Sequence, residues 1–221
     1  MQDPTTLGRS IADKTVLVTG ANRGLGRALV GEALSRGAKR VYVASRQPMV
    51  IPDERVTLLI LDVTDLAQVH EAADRVDSLD ILINNAGVSV PDDLSDRSAL
   101  ERHLAVNLYG TLDVTRAFLP SLTRSHGAVV NIVSLGALAA VPVLPAYSVS
   151  KAASLSMTQS LRALLAGAGL RDVELDAIVP ALANHVRPSC LARRAEPAWQ
   201  ALGRRAPGLL GYQLVGIGRR P

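Results

Sequence analysis

From residue 14 onward, short apolar runs rich in β-branched residues alternate with longer segments of helical period. The runs are Thr15 to Val18, Arg40 to Ala44, Val56 to Leu61, Ile81 to Ile83, Ala128 to Val133 and Val173 to Val179. Several are apolar on both alternating faces, as strands are when helices cover both sides of a parallel sheet. Helical spacing fits Leu25 to Ser35, Leu66 to Arg75, Ala99 to Leu122 and Ala146 to Ala166. Ser45 to Arg55 holds two prolines and no helical period, so it reads as a loop passing over the sheet. The pattern predicts an α/β chain with a doubly wound parallel sheet. After Pro180 the periodicity fades, and only Tyr212 to Ile217 reads as a last strand.

The 221 residues suit one well-buried domain. A net charge of +4 suggests an acidic partner until its distribution is read: seven arginines and one glutamate follow Pro180, leaving residues 1 to 180 net negative. With one Phe and four Tyr, no aromatics are interleaved with the basic residues to stack bases, so no nucleic-acid partner is expected. No apolar run approaches the roughly 20 residues of a membrane-crossing helix, so no membrane partner is expected either. Met1 to Asp13 is polar and lacks the basic-then-apolar pattern of a secretory leader, which predicts a cytoplasmic chain. Cys190 is the lone cysteine and has no clustered His or Cys, which predicts neither an internal disulfide nor a metal site.

Chemistry enters at the ends of the strands. The first run leads into Thr19-Gly20-Ala21-Asn22-Arg23-Gly24-Leu25-Gly26 and then at once into a helix. Glycines there would let the backbone approach a phosphate, and the helix N-terminus offers unpaired N–H groups. The plainer reading is a tight strand-to-helix turn. The second run ends Ala44-Ser45-Arg46, with no carboxylate to accept from the ribose 2′-hydroxyl of NAD. Arg46, assisted by Arg23, would instead grip a 2′-phosphate, which favours NADP (NADPH) and makes NAD less expected. Leu61-Asp62-Val63 puts a carboxylate at the sheet edge, either for an adenine amino group or as a cap for the helix beginning near Asp65. The fourth run ends Asn84-Asn85-Ala86-Gly87, and the fifth delivers Ser134. Tyr147 and Lys151 lie four apart, so on a helix they share one face. A phenol is a weak base at neutral pH, and a neighbouring ammonium favours its ionised form. Ser134 is available to hydrogen-bond a substrate oxygen as negative charge develops on it.

Together these residues resemble the short-chain dehydrogenase/reductase family, over roughly residues 12 to 180. The resemblance rests on Gly20, Gly24 and Gly26 in Thr-Gly-x-x-x-Gly-x-Gly, Asp62, the Asn84 to Gly87 turn, Asn107, Ser134, Tyr147 and Lys151, all in family order. It implies a Rossmann fold and hydride transfer between NADP(H) and a small-molecule carbonyl or secondary alcohol. Tyr147 would exchange the proton, Ser134 would position the substrate oxygen, and Lys151 would bind the nicotinamide ribose while acidifying Tyr147. Asn107 would hold a water that links Lys151 to solvent. Cofactor contacts would run through Gly20, Asn22, Arg23, Gly24, Leu25, Gly26, then Ser45, Arg46, Asp62 and Val63, then Asn84, Ala86 and Gly87, and finally Tyr147, Lys151 and Pro180. A homodimer or homotetramer is implied. The family's usual Pro-Gly after the sixth strand is Pro180-Ala181 here, and no Thr follows Thr158. Residues 1–180 thus read as the dinucleotide-binding and catalytic part. Residues 181–221 read as an atypical basic segment of the same domain, either a divergent lid or a tail altered by a reading-frame change in a GC-rich gene. A cofactor-binding but catalytically silent sensor or scaffold is the alternative function.

Overall fold

The computed structural model describes residues 11–167 and the strand at 213–216. The strands are β1 (Thr15–Thr19), β2 (Arg40–Ser45), β3 (Val56–Ile60), β4 (Ile81–Asn84), β5 (Ala128–Asn131) and β6 (Gln213–Gly216). The helices are α1 (Gly24–Ser35), α2 (Leu66–Asp74), α3 (Arg97–Leu104), α4 (Thr111–Ser125) and α5 (Pro145–Gly167). The sheet order is β3-β2-β1-β4-β5-β6, with β1 parallel to both β2 and β4, and β2 parallel to β3. This is the doubly wound, Rossmann-type α/β fold that the alternation predicts. Within it the described residues pack as two compact units, one of residues 11–87 with Tyr109–Val129 and one of Val88–Leu108 with residues 130–167 and β6.

In the first unit β1 is buried along its whole length, and β2 at every position but Arg40. Val16, Leu17, Val18, Val41 and Val43 form its centre with Leu59, Leu82 and Phe118. Stiff β-branched side chains suit strands covered on both faces. Asp80 ties the start of the sheet, accepting from the Thr15 amide at 2.9 Å and from Lys14 Nζ at 3.3 Å. The 46–55 stretch is a loop, as expected. Asp65 caps α2, accepting from the Ala67 and Gln68 amides. Asp62 is therefore not that cap. Its Oδ1 accepts instead from the Thr64 amide and hydroxyl, at 2.9 and 2.8 Å.

The expected helix, Ala99 to Leu122, is one continuous helical run that changes winding partway. A π-helical turn, Ala105–Gly110, separates α3 from α4. Gly110 is a poor helix former, and a Cβ there would lie 2.6 Å from Val63 Cγ2, so close packing rather than propensity selects it. In the second unit β5 stops at Asn131, short of the expected Val133. The Asn131 side chain donates from Nδ2 to Thr158 Oγ1 at 2.9 Å, and the Ile132 carbonyl accepts from a lysine instead of continuing as strand. Asp92, from a distant loop, accepts from the Ala146 amide with both oxygens at the start of α5. The expected strand Val173 to Val179, Pro180, Cys190 and most of the basic tail lie outside the described residues.

Candidate functional site

The first unit holds the glycine-rich turn. Gly20 and Gly24 have φ of 63° and 54°, in the left-handed region that glycine alone enters freely. A Cβ on Gly20 would meet Ala86 Cα at 2.8 Å, and one on Gly26 would overlap the Gly20 carbonyl. Gly24 faces open space, so there the requirement is purely conformational. The N-cap of α1 is Arg23, which makes no side-chain cap hydrogen bond. A helix start left without a side-chain cap, above a backbone cleared by glycines, fits the pyrophosphate of a dinucleotide.

Two residues that the sequence reading passed over hold this turn. Thr19 Oγ1 accepts from the Asn85 and Ala86 amides, each at 3.0 Å. Asn85 Nδ2 donates to the Thr19 and Gly20 carbonyls at 3.0 and 3.1 Å. The signal was present in the Asn-Asn-Ala-Gly segment, but nothing local tells which asparagine turns inward. Asn84 is buried, with its amide on Thr115 Oγ1 at 2.9 Å. Ser45 is buried and accepts from the Gln47 amide, while Val63 is buried against Gly110. Asn22, Arg23, Leu25 and Gly87 are exposed. The Arg46 side chain is 72% exposed, with Nη1 at 4.0 Å from Asp62 Oδ2. A pair that long and that exposed is weak, so an anion with several oxygens can displace it.

The second unit brings Asn107, Ser134, Tyr147 and Lys151 together. Tyr147 and Lys151 lie on α5, and Lys151 Nζ sits 5.9 Å from the Tyr147 ring centroid. Lys151 is 6% exposed and donates to the Ile132 carbonyl at 2.8 Å. Burial lowers its pKa from 10.5 to about 8. Ser134 ends the segment after β5, where its Oγ accepts from the Gly136 amide at 3.0 Å. Gly136, also passed over in the sequence, is the point between catalytic candidates. A Cβ built there would be 3.4 Å from Ser134 Oγ and 3.5 Å from Tyr147 Cε1. Asn107 is buried in the π-helical turn, accepting from the Val88 amide at 2.8 Å and donating to the Val88 carbonyl and Ser150 Oγ at 3.0 and 2.8 Å. Ser150 Oγ donates in turn to the Tyr147 carbonyl at 2.7 Å. The Asn107 carbonyl accepts from Ser154 Oγ at 2.7 Å. Pro180 lies outside the described residues.

A parallel doubly wound sheet with a glycine turn after β1, and a Ser, Tyr and Lys group after β5, define a class of nucleotide-dependent α/β enzymes. The short chain dehydrogenase family matches residues 14–186, and the chain belongs to that family of oxidoreductases. Over 202 residues it is 33% identical to oxidoreductase UcpA of Salmonella typhimurium, spanning 85% of this chain and 76% of that protein. A short chain dehydrogenase from Burkholderia cenocepacia, solved in complex with NADP, is similar with a TM-score of 0.69 and 39% identity, covering 72% of this chain and 69% of that one. The NADP-bound structure of ElxO is similar with a TM-score of 0.65 and 28% identity, covering 71% and 70% of the two chains. Among the described residues no helix is long and apolar enough to cross a membrane, and no cluster of His, Cys, Asp and Glu could hold a metal ion.

Proposed function

We propose that this chain is an NADP(H)-dependent oxidoreductase acting on a carbonyl or secondary alcohol, with Tyr147 exchanging the proton on the substrate oxygen. The observation that carries this reading is the convergence of Ser134 Oγ and the Tyr147 ring on Gly136, with the buried Lys151 ammonium 5.9 Å from the ring centroid. A hydroxyl donor and a phenol at one point suit an oxygen that gains negative charge and then a proton. The bound nicotinamide supplies the hydride. Lys151 would orient the nicotinamide ribose. Asn107 anchors Val88 and, through Ser150, the Tyr147 backbone; a relay water on its carbonyl would share that oxygen with Ser154.

The choice of NADP rests on Arg46 and Arg23. Both are exposed, β2 ends without a carboxylate, and Arg46 has only a long contact to Asp62. Gly20, Asn22, Gly24, Leu25 and Gly26 would hold the pyrophosphate side. Ser45, Asp62, Val63, Asn84, Ala86, Gly87 and Pro180 would line the rest. Residues 1–180 would form the dinucleotide-binding and catalytic part, and 181–221 a divergent segment of the same domain. A cytoplasmic setting and a homodimer or homotetramer complete the reading; the oligomer rests on the family alone, and sedimentation velocity tests it. Purified protein should oxidise NADPH with ketones, aldehydes or quinones, and NADH more slowly. NADPH binding without turnover across that panel would instead make the chain a catalytically silent cofactor binder.

A further inference from the structure

The second unit contains a buried imidazole that the mechanism above does not use. His103 lies on α3 and is 1% exposed. Its Nδ1 is 2.7 Å from the Ala99 carbonyl, one turn earlier on the same helix. Its Nε2 accepts from the Val90 amide at 3.2 Å. A carbonyl only accepts and a backbone N–H only donates, so the ring carries its proton on Nδ1 and offers a lone pair at Nε2. Two backbone partners on opposite sides fix the ring plane. That fixed ring meets Tyr147 edge-on, with centroids 6.3 Å apart and planes at 69°. The separation and angle are those of a favourable T-shaped aromatic pair.

We infer that His103 is a positioning residue, which sets the orientation of the Tyr147 ring for proton transfer. The inference rests on the role proposed above for Tyr147. The phenol swings about its own side-chain bonds, and α5 fixes only its backbone; a ring packed on an immobile imidazole loses that freedom before substrate arrives. His103 is suited to this because a histidine ring alone combines an aromatic edge with a donor and an acceptor on opposite sides. A leucine would fill the space without being oriented. The same ring holds Val90, so the segment after Val88 and the phenol are referred to one fixed group.

Two variants separate ring from hydrogen bonds. His103→Gln keeps a donor for Ala99 and an acceptor for Val90 but removes the ring, whereas His103→Phe keeps the ring and removes both polar contacts. In NADPH-dependent reduction, His103→Gln should lower kcat roughly three- to tenfold, the rate equivalent of losing one aromatic pair. Its KM and NADPH affinity should stay within about twofold of wild type, because ground-state binding is untouched. His103→Phe keeps the aromatic edge but loses the bonds that fix it, so its kcat should fall between that of His103→Gln and wild type, with a lower melting temperature. Protein labelled with 3-fluorotyrosine gives a readout without turnover: the ¹⁹F signal that Tyr147→Phe deletes should move in His103→Gln, while that of Tyr42 stays. An unmoved Tyr147 signal, wild-type kcat in His103→Gln, or KM rising as much as kcat falls would each overturn the positioning role alone. A wild-type protein that turns over no carbonyl or alcohol would refute the proposed function, and the positioning role with it.

Discussion

Replacing Lys151 by Met tests the electrostatics of the site in a way that activity cannot. Lys151 is 6% exposed, and burial lowers its pKa from 10.5 to about 8. Between those two values the unfolded chain binds more protons than the folded one, so stability rises with pH across that window and the full penalty is present below it. At about 1.36 kcal/mol per pH unit, a lowering of that size is a penalty of about 3 kcal/mol at neutral pH. Raising the pH from 7 to 10 should return about 2.5 kcal/mol of it. Lys151→Met keeps the apolar stem and removes the titrating group, so its stability lacks this component. At pH 7 the gain from removing a desolvated charge is offset by the lost bond to the Ile132 carbonyl, worth about 1.5–3 kcal/mol. The absolute difference near neutrality is therefore small, and the pH slope is the informative quantity. Urea unfolding of both proteins at one fixed concentration should show wild type gaining about 2.5 kcal/mol on the variant between pH 7 and 10. A difference that stays flat, or moves the other way, would refute the buried-ammonium argument.

Tyr147→Phe should cut turnover by orders of magnitude while NADPH affinity stays within a few-fold, since only the proton-carrying hydroxyl is removed; steady-state rates beside nicotinamide fluorescence titration check this. Arg46→Asp should weaken NADPH by roughly ten- to a hundredfold, the loss of one charge-assisted contact, and leave NADH unchanged or tighter; equal loss of both cofactors would make Arg46 a surface residue. Asp92→Ala removes the acceptor for the Ala146 amide at the start of α5 and should cost about 1 kcal/mol, read as a fall of about 2–4 °C in melting temperature.

The alternation of apolar runs and helical periods is local, and it determined the class of fold. Strands buried on both faces must be apolar throughout, and a chain cannot hide that pattern. The same holds for Gly20 and Gly24, whose backbone angles are open to glycine almost alone, and for the four-residue spacing of Tyr147 and Lys151, which a helix turns into one face. Other features depended on contacts between residues far apart in sequence. Nothing in Ala99 to Leu122 announces the π-helical turn, because Asn107 is drawn to Val88 and Gly110 is selected by Val63. Asp65 rather than Asp62 caps α2, because its side chain accepts from the Ala67 and Gln68 amides while Asp62 Oδ1 is taken up by Thr64. Asn85 became the staple of the glycine turn and Asn84 a buried partner of Thr115, although the two are adjacent and chemically identical. Side-chain identity states what a residue can donate or accept. Only packing, which brings distant backbone within about 3 Å, decides which of those bonds is made.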